Sequence, residues 1–153
     1  MNNSVVIFDL DGTLALIDDR RAISTKANGK MDWDTFFDPA NIALDKPNMP
    51  VIHMARTLAN AGHTIVILSG RSKATKDATR AWLNQFGVPF NVLKMRPTSN
   101  EFKFMPDDKL KKMWLDKLFV NDNIVCVFDD RQKVVDMWRD NGLTCMQVAP
   151  GDF

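Results

Sequence analysis

Five short apolar runs recur along the chain, and polar or charged residues directly follow the first four of them. The hydrophobicity within each run is continuous rather than alternating, and β-branched residues are frequent in it. This pattern is typical of strands that are covered on both faces, as in a parallel sheet. The predicted strands span residues 5–8, 64–68, 91–93, 124–128 and 144–148.

Segments with apolar residues at helical spacing lie between these predicted strands. The predicted helices span residues 50–61, 72–86, 107–120 and 131–141, and a glycine follows three of them as a stop signal (Gly62, Gly87 and Gly142). Strands that alternate with helices predict an α/β fold, here a Rossmann-like three-layer sandwich with a mostly parallel sheet. The chain of 153 residues has the length of one domain, which we expect to span residues 1–153.

Residues 18–48 do not follow this alternation, and we interpret them as a small insertion after the first strand. The insertion contains three aromatic residues, Trp33, Phe36 and Phe37. Two alternatives stay open, a lid over the edge of the active site and an ordinary connection that packs on the core. Phe36 and Phe37 are expected in the core, and Trp33 is the best candidate of the three for stacking on a nucleic-acid base.

Charge and composition narrow the class of protein. The chain has 20 Lys and Arg against 19 Asp and Glu, so a nucleic-acid partner requires a local positive surface rather than an overall positive charge. Cys126 and Cys145 lie in apolar runs without metal-ligand spacing, which predicts buried free thiols in a reducing compartment. Residues 1–4 are polar, and the apolar runs are far shorter than the ~18 residues of a membrane span. The expected location is therefore the cytoplasm, that of a bacterial host if the sequence is phage-encoded.

Acidic residues follow two of the predicted strands. Asp9 and Asp11 come after the first strand, and Asp129 and Asp130 come after the fourth. Because the carboxyl ends of parallel strands form one edge of a sheet, we expect the four carboxylates to meet. Two carboxylates ~4 Å apart repel by about 4 kcal/mol at an effective dielectric constant of ~20, and a divalent cation relieves this repulsion. Oxygen ligands favour Mg²⁺ over Zn²⁺, so all four are predicted Mg²⁺ ligands.

The spacing of the first acidic pair suits the cleavage of a phosphate ester, which needs a nucleophile and a proton donor. Asp9, held ionised against the metal, can attack phosphorus. Asp11 lies in a different environment, where its neighbours can keep it protonated as the acid. Gly12 lets the chain turn sharply after the strand, and Thr13 can offer its hydroxyl or its backbone N–H to phosphate.

These residues resemble the motifs of the haloacid dehalogenase-like phosphohydrolases. The matching stretches are DLDGT at residues 9–13, Ser69 in ILSGR, a lysine, and Asp129-Asp130 in VFDDR. The resemblance implies that Asp9 is transiently phosphorylated and that Asp11 is the general acid and base. It also implies that Mg²⁺ bridges these two residues to the last acidic pair.

Within that family, the chain is similar to the 3′-phosphatase domain of phage polynucleotide kinase-phosphatases. The similar stretches are DLDGTLA near the start, SGR…TK at residues 69–76, and residues 129–153; residues 18–48 do not align. The resemblance implies that Lys111 in PDDKLKK is the catalytic lysine, with Asp107 as its companion, and that Arg20 and Arg71 are functional arginines. The chain has no Gly-x-x-x-x-Gly-Lys-Ser/Thr phosphate loop, so no kinase activity is implied.

Several candidate residues for binding phosphate or substrate lie after a strand end or within a family motif. They are Thr13, Arg20, Ser69, Gly70, Arg71, Arg96 and Asp107. A guanidinium group can bind phosphate through two hydrogen bonds, which favours the arginines for this role. Lys111 is expected to neutralise Asp9 and the phosphate oxygens as a point charge.

The sequence therefore predicts a Mg²⁺-dependent phosphomonoesterase that removes 3′-phosphates from RNA or DNA ends through an aspartyl-phosphate on Asp9. The resemblance implies repair of broken ends ahead of a ligase, with a separate kinase or ligase as the expected partner. Three alternatives stay open: a nucleoside monophosphatase, a phospho-accepting receiver module, and a nucleic-acid-binding protein without catalysis. A receiver fits less well, because its acceptor aspartate ends a central strand well into the sequence.

Overall fold

The computed structural model describes residues 4–120 and 122–151, and five of its strands form one parallel sheet. The first three residues of the polar start and the last two residues of the C-terminal motif lie outside the described residues. The strands are β1 (Ser4–Phe8), β2 (Ala15–Leu16), β3 (Lys46–Pro47), β4 (Thr64–Ser72), β5 (Val92–Arg96), β6 (Asn123–Asp129) and β7 (Cys145–Gln147). The sheet order is β5-β4-β1-β6-β7, so β1 lies at the centre.

The central strand places the ends of two acidic motifs side by side. β1 pairs in parallel with β4 on one edge and with β6 on the other. The backbone N–H of Asp9 continues the ladder beyond β1 and donates to the carbonyl of Phe128 over 2.9 Å. The loop after β1 and the loop after β6 therefore begin next to each other at the carboxyl edge of the sheet.

Helices cover both faces of this sheet. They are α1 (Asp18–Ser24), α2 (Trp33–Phe36), α3 (Met49–Asn60), α4 (Lys76–Gln85), α5 (Asn100–Lys103), α6 (Asp107–Leu118) and α7 (Gln132–Asp140). On one face, Val6 and Phe8 pack with Ile52 of α3 and Trp82 of α4. On the other, alternate residues of the same strand pack with α6 and α7, where Trp114 and Trp138 lie in the core. This arrangement confirms the predicted three-layer α/β fold.

The predicted helix at residues 72–86 begins later than its periodicity indicates. The Ser72 side chain accepts a hydrogen bond from the backbone N–H of Ala74 and caps a 3₁₀ helix, Lys73–Thr75, which leads into α4. The fourth predicted strand, at residues 124–128, extends by one residue at each end. The strands predicted at residues 64–68 and 91–93 end later, at Ser72 and Arg96, so the candidate residues expected to follow them lie within the strands (Ser69, Gly70, Arg71 and Arg96). The last predicted strand, at residues 144–148, is shorter, and α5 has no predicted counterpart.

The insertion at residues 18–48 folds into α1, α2 and a 3₁₀ helix, Pro39–Leu44. Its two ends lie together, because β2 and β3 pair antiparallel with Ala15 opposite Pro47. Phe36 is buried in the core and Phe37 packs against it, as expected, whereas 59% of the Trp33 surface is exposed. The interpretation of this insertion as a lid stays a prediction.

Two expectations drawn from composition concern the thiols and the membrane. Cys126 and Cys145 are both free and buried, as predicted. Over residues 4–120 and 122–151, none of the helices has the length and apolar character needed to cross a membrane.

Candidate active site

A tight turn follows β1 and brings Thr13 back beside Asp9. The carbonyl of Leu10 accepts hydrogen bonds from the backbone N–H groups of Thr13 (3.1 Å), Leu14 (3.0 Å) and the residue after it. Gly12 has a φ of 83°, a left-handed conformation that favours glycine. The motif therefore needs glycine at this position in order to fold its polar side chains onto one point.

Three buried carboxylates meet at the ends of β1 and β6. Oxygen atoms of Asp9, Asp129 and Asp130 lie within 4.8 Å of one another. The Lys111 ammonium group reaches them from α6, with Nζ 2.6 Å from Oδ1 of Asp9 and 3.0 Å from Oδ2 of Asp129. The Thr13 hydroxyl lies 3.3 Å from Oδ2 of Asp9 and 3.2 Å from Oδ1 of Asp130.

The Asp129 carboxylate is held from three directions. Its Oδ2 accepts hydrogen bonds from Lys111 and from the indole Nε1 of Trp138, the latter over 3.1 Å. Its Oδ1 accepts from the backbone N–H of Asp130 over 2.8 Å. Such outer hydrogen bonds fix the orientation of a metal-binding carboxylate, so Trp138 belongs to the site although the sequence analysis missed it. It occupies a helical core position, and core packing alone accounts for a tryptophan there.

The electrostatics of this cluster favour a bound cation. Burial, and then the charge of Asp129, raise the pKa of Asp9 well above its usual value, while Lys111 opposes the rise. Burial likewise raises the pKa of Asp130 to about 6. For Lys111, burial alone would lower the pKa, but Asp129 and Asp9 outweigh it and raise the pKa, so the ammonium form persists.

A divalent cation fits this donor set. When ionised, the three carboxylates and the single ammonium group carry a net charge of 1 − 3 = −2. All the donors are oxygen atoms, which suit Mg²⁺ rather than Zn²⁺. Asp9, Asp129 and Asp130 are the residues that would hold the ion.

The structure places Asp11 differently from the prediction. Its side chain does not belong to the set formed by Asp9, Asp129 and Asp130. Instead, Oδ1 of Asp11 accepts hydrogen bonds from Arg20 Nη2 (2.7 Å) and from Arg71 Nε (2.8 Å) and Nη2 (2.6 Å). Burial alone would raise the pKa of Asp11, but the positive charges of Arg71 and then Arg20 outweigh it and lower the pKa. The predicted metal-ligand role and the predicted protonated state both disregarded these two arginines.

Asp45 completes the arginine cluster and was missed by the sequence analysis. It follows the 3₁₀ helix of the insertion and accepts from Arg20 Nε (3.0 Å), Arg20 Nη2 (2.9 Å) and Arg71 Nη2 (2.8 Å). Burial raises the pKa of Asp45 to about 6 while both arginines hold the rise back, so the group is ionised at neutral pH. A single aspartate in the stretch ALDKP, which matches no motif, carries no signal that could have identified it.

Arg20 and Arg71 were predicted to bind phosphate, and the structure gives them other partners. Both side chains are fully buried. Every nitrogen of each guanidinium donates within the protein, including Arg20 Nη1 to the carbonyl of Phe36 and Arg71 Nη1 to the hydroxyl of Thr79. The anions that these two arginines contact are therefore Asp11 and Asp45.

The other predicted binding residues lie in a third cluster, which contains Ser69, Gly70, Arg96 and Asp107. Asp107, at the start of α6, accepts from Arg96 Nη2 over 2.5 Å and from Arg131 Nη1 over 2.8 Å. Arg96 Nε also donates to the carbonyl of Gly70 over 2.9 Å. A Cβ atom on Gly70 would lie 2.5 Å from Oδ1 of Asp107, which explains the glycine. Ser69 is buried beside this group, and its hydroxyl accepts from the backbone N–H of Arg71.

Comparison with known proteins identifies relatives of this chain. A family model described as the polynucleotide kinase PNKP phosphatase domain matches residues 3–153. A protein of Autographa californica nuclear polyhedrosis virus, named as a bifunctional polynucleotide kinase/RNA ligase, is 34% identical over 140 residues. That match covers 88% of this chain but only 18% of the viral protein.

Solved structures also include proteins similar to this chain. A chain in the structure of a Pnkp1/Rnl/Hen1 complex superposes with a TM-score of 0.77 and 30% identity, covering 99% of this chain and 48% of that one. A crystal structure described as a predicted phosphatase from Clostridium acetobutylicum has a TM-score of 0.68 and 14% identity, covering 96% and 85% of the two chains. The latter likeness concerns the fold alone. The chain thus spans less than half the length of its more similar relatives.

Proposed function

The chain belongs to the family of polynucleotide kinase PNKP phosphatase domains, and it is a haloacid dehalogenase-like hydrolase of the phosphatase class. We propose that residues 1–153 act as one domain that removes 3′-phosphates from RNA or DNA ends. One observation carries this proposal: Asp9 and Asp11, two residues apart, face two separate charged clusters. One carboxylate is thereby set up as a nucleophile and the other as a proton carrier.

In the first half of the proposed reaction, a carboxylate oxygen of Asp9 attacks phosphorus. The bond from phosphorus to the 3′-oxygen breaks, and Asp11 gives its proton to that oxygen, which leaves a 3′-hydroxyl group and an aspartyl-phosphate. The arginines keep Asp11 ionised in the free site, and the phosphate dianion that arrives beside it favours proton uptake. In the second half, water attacks the aspartyl-phosphate and Asp11 takes the proton, which releases phosphate and restores Asp9.

Lys111 and Thr13 orient the nucleophile. The ammonium group of Lys111 bonds Asp9 and Asp129 at once, so it fixes the distance between the two carboxylates while it offsets their charge. Mg²⁺, held by Asp9, Asp129 and Asp130, would supply positive charge to the phosphate oxygens. The Thr13 hydroxyl holds Asp9 from the opposite oxygen.

The relatives support a polynucleotide substrate. Polynucleotide kinase appears in the name of the family and of the viral relative, which is also named as an RNA ligase. We propose that a kinase or a ligase acts on the same broken ends as this phosphatase. The proposed location is the cytoplasm, that of a bacterial host if the sequence is phage-encoded.

The experiment compares phosphate release in the presence of Mg²⁺ from three substrates. They are a 3′-phosphorylated oligonucleotide, its 5′-phosphorylated counterpart and a 3′-mononucleotide, with RNA and DNA versions of each. We expect the 3′-phosphorylated oligonucleotide to be hydrolysed with the highest kcat/KM. Asp9→Asn is the control for covalent chemistry, and it should abolish release from every substrate.

Two results would contradict parts of the proposal. Equal or faster release from the mononucleotide would leave the Asp9 chemistry intact and assign the chain to the nucleoside monophosphatases. Wild-type rates in Asp9→Asn would instead exclude the aspartyl-phosphate.

A further inference from the structure

Asp45 and Asp11 are linked by two parallel bridges. Nη2 of Arg20 lies 2.7 Å from Oδ1 of Asp11 and 2.9 Å from Oδ2 of Asp45. Nη2 of Arg71 repeats the pattern, at 2.6 Å and 2.8 Å from the same two oxygens. Each Nη2 has two hydrogens, so each Nη2 donates one hydrogen to Asp11, the proposed proton carrier, and one to Asp45.

We propose that Asp45 is a positioning residue for the phosphatase reaction, which holds Arg20 and Arg71 in the one orientation that fixes Asp11. The inference rests on the proposed function of Asp11 as acid and base. The side chain of Asp45 bonds Arg20 and Arg71 and has no hydrogen bond to Lys111 or to the three clustered carboxylates among the described residues. It therefore acts on the reaction through the two arginines.

The charges explain why the arginines need a second anion. Two buried guanidinium groups that shared Asp11 alone would carry a net charge of 2 − 1 = +1 and would repel each other. Asp45 brings the cluster to neutrality and is itself 2% exposed. Breaking a buried pair leaves an uncompensated charge, so loss of Asp45 releases the arginines from their present orientation.

The hydrogen bonds also select which oxygen of Asp11 is available. All three arginine contacts go to Oδ1, and within the described part of the chain Oδ2 accepts no hydrogen bond. The cluster therefore holds the carboxylate by one oxygen and leaves the other for proton exchange with the substrate. The position of Asp45 is itself fixed, because its carbonyl accepts from Trp82 Nε1 of α4 over 2.9 Å.

The test compares two leaving groups in Asp45→Asn, which keeps the side-chain shape and removes the charge. A sugar 3′-oxygen needs a proton when it leaves, whereas the phenolate of p-nitrophenyl phosphate does not. We expect kcat/KM for the sugar phosphate to fall roughly 100-fold, the scale of general acid catalysis, and that for p-nitrophenyl phosphate to change only a few-fold. Asp11→Asn should show the same selectivity.

Asp38→Asn is the matched control. Asp38 is exposed and lies directly before the same 3₁₀ helix, where its side chain caps the helix by accepting from the backbone N–H of Ala40, a role that asparagine also fills. It should leave both rates unchanged. The sugar phosphate is whichever one the wild-type protein hydrolyses fastest, so failure of the polynucleotide assignment does not affect this comparison.

Parallel losses on both substrates would overturn the proposal and make Asp45 a residue of the fold alone. If Asp45→Asn does not fold, as judged by circular dichroism and thermal melting, Asp45→Glu replaces it. The glutamate keeps the charge but displaces the carboxylate by one methylene group. A selective loss on the sugar phosphate supports the positioning role, and unchanged or parallel rates contradict it.

Discussion

The ammonium group of Lys111 lies 2.6 Å from Oδ1 of Asp9, although the two residues are 102 positions apart in sequence. The same nitrogen lies 3.0 Å from Asp129, so one cation from α6 joins the ends of β1 and β6. Lys109 and Lys112 flank it on the same helix, but Lys111 alone of these three is buried. Its burial therefore distinguishes, among these three lysines, the one that contacts the proposed nucleophile.

Replacing Lys111 with methionine should abolish most of the activity. The variant keeps an unbranched side chain of similar length but leaves three carboxylates without their cation. We expect kcat to fall about 100- to 1,000-fold, the scale of losing one preorganised electrostatic contact. Lys111→Arg should not restore the rate, because a planar guanidinium does not replace a compact ammonium group between two carboxylates.

The matched control for that measurement is Lys109→Met, on the exposed side of the same helix. Its steady-state rate should equal that of the wild type. Equal losses in the two lysine variants would mean that overall surface charge, and not the buried contact, sets the rate.

Trp138 should tune the affinity for Mg²⁺ without taking part in the reaction. Trp138→Phe removes the 3.1 Å hydrogen bond to Oδ2 of Asp129 and keeps most of the aromatic packing. We expect the Mg²⁺ concentration for half-maximal activity to rise about 10-fold, with a small change of kcat at saturation. A Mg²⁺ titration of phosphate release measures this shift.

Trp114→Phe provides the comparison, since Trp114 lies in the same core layer and has no bond to the carboxylates among the described residues. Its Mg²⁺ titration should match that of the wild type. The role assigned to the indole of Trp138 is wrong if both tryptophan variants shift alike.

Gly70 should not tolerate a side chain. In Gly70→Ala the new Cβ would lie 2.5 Å from Oδ1 of Asp107, which Arg96 and Arg131 hold in place from two sides. Crowding of this kind typically costs about 1–3 kcal/mol, and urea denaturation should show a loss of that size.

A double-mutant cycle isolates the clash at Gly70. With Asp107→Ala as the background, the crowded oxygen is absent, so adding Gly70→Ala should cost much less than it does in the wild type. Additive losses would instead locate the effect in the strand itself.

The buried thiol of Cys145 should make the protein less stable in alkali. Burial, and then the charge of Asp129, raise the pKa of Cys145 to about 12 from 9.0. Above pH 9 the unfolded chain loses this proton while the folded chain keeps it, so the free energy of unfolding falls as the pH rises towards 12. The slope from this group is about 1.4 kcal/mol per pH unit at most.

Cys145→Ala removes the titrating group and serves as the reference. Its stability, measured by urea denaturation without added metal, should fall less steeply between pH 9 and 11 than that of the wild type. Identical slopes in the two proteins would show that the thiol does not contribute.

The meeting of acidic residues at the carboxyl edge of the sheet could be predicted from the sequence, because one rule applied to each residue separately. Asp9 and Asp129 follow apolar strands, and the carboxyl ends of neighbouring parallel strands must meet. Lys111 needed more, because three lysines share its helix and only the resemblance to a family distinguished it.

The electrostatic role of Asp11 could not be predicted in the same way. Its spacing from Asp9 gives its location, but its charge state depends on Arg20 and Arg71, which are reached only through the folded chain. Asp45 lies 25 and 26 positions from these arginines, in a segment without periodicity or motif. Local sequence carries no information about such a contact.

The pairing of β2 with β3 has a consequence for how this domain can change over evolution. β2 and β3 form a separate two-stranded sheet, so the residues between them begin and end at neighbouring points. These residues form a module that can vary in length without disturbing the five-stranded sheet. Arg20 and Asp45 both lie within that module. A homologue with a different module must therefore either supply both charges from new positions or fix its counterpart of Asp11 with other contacts.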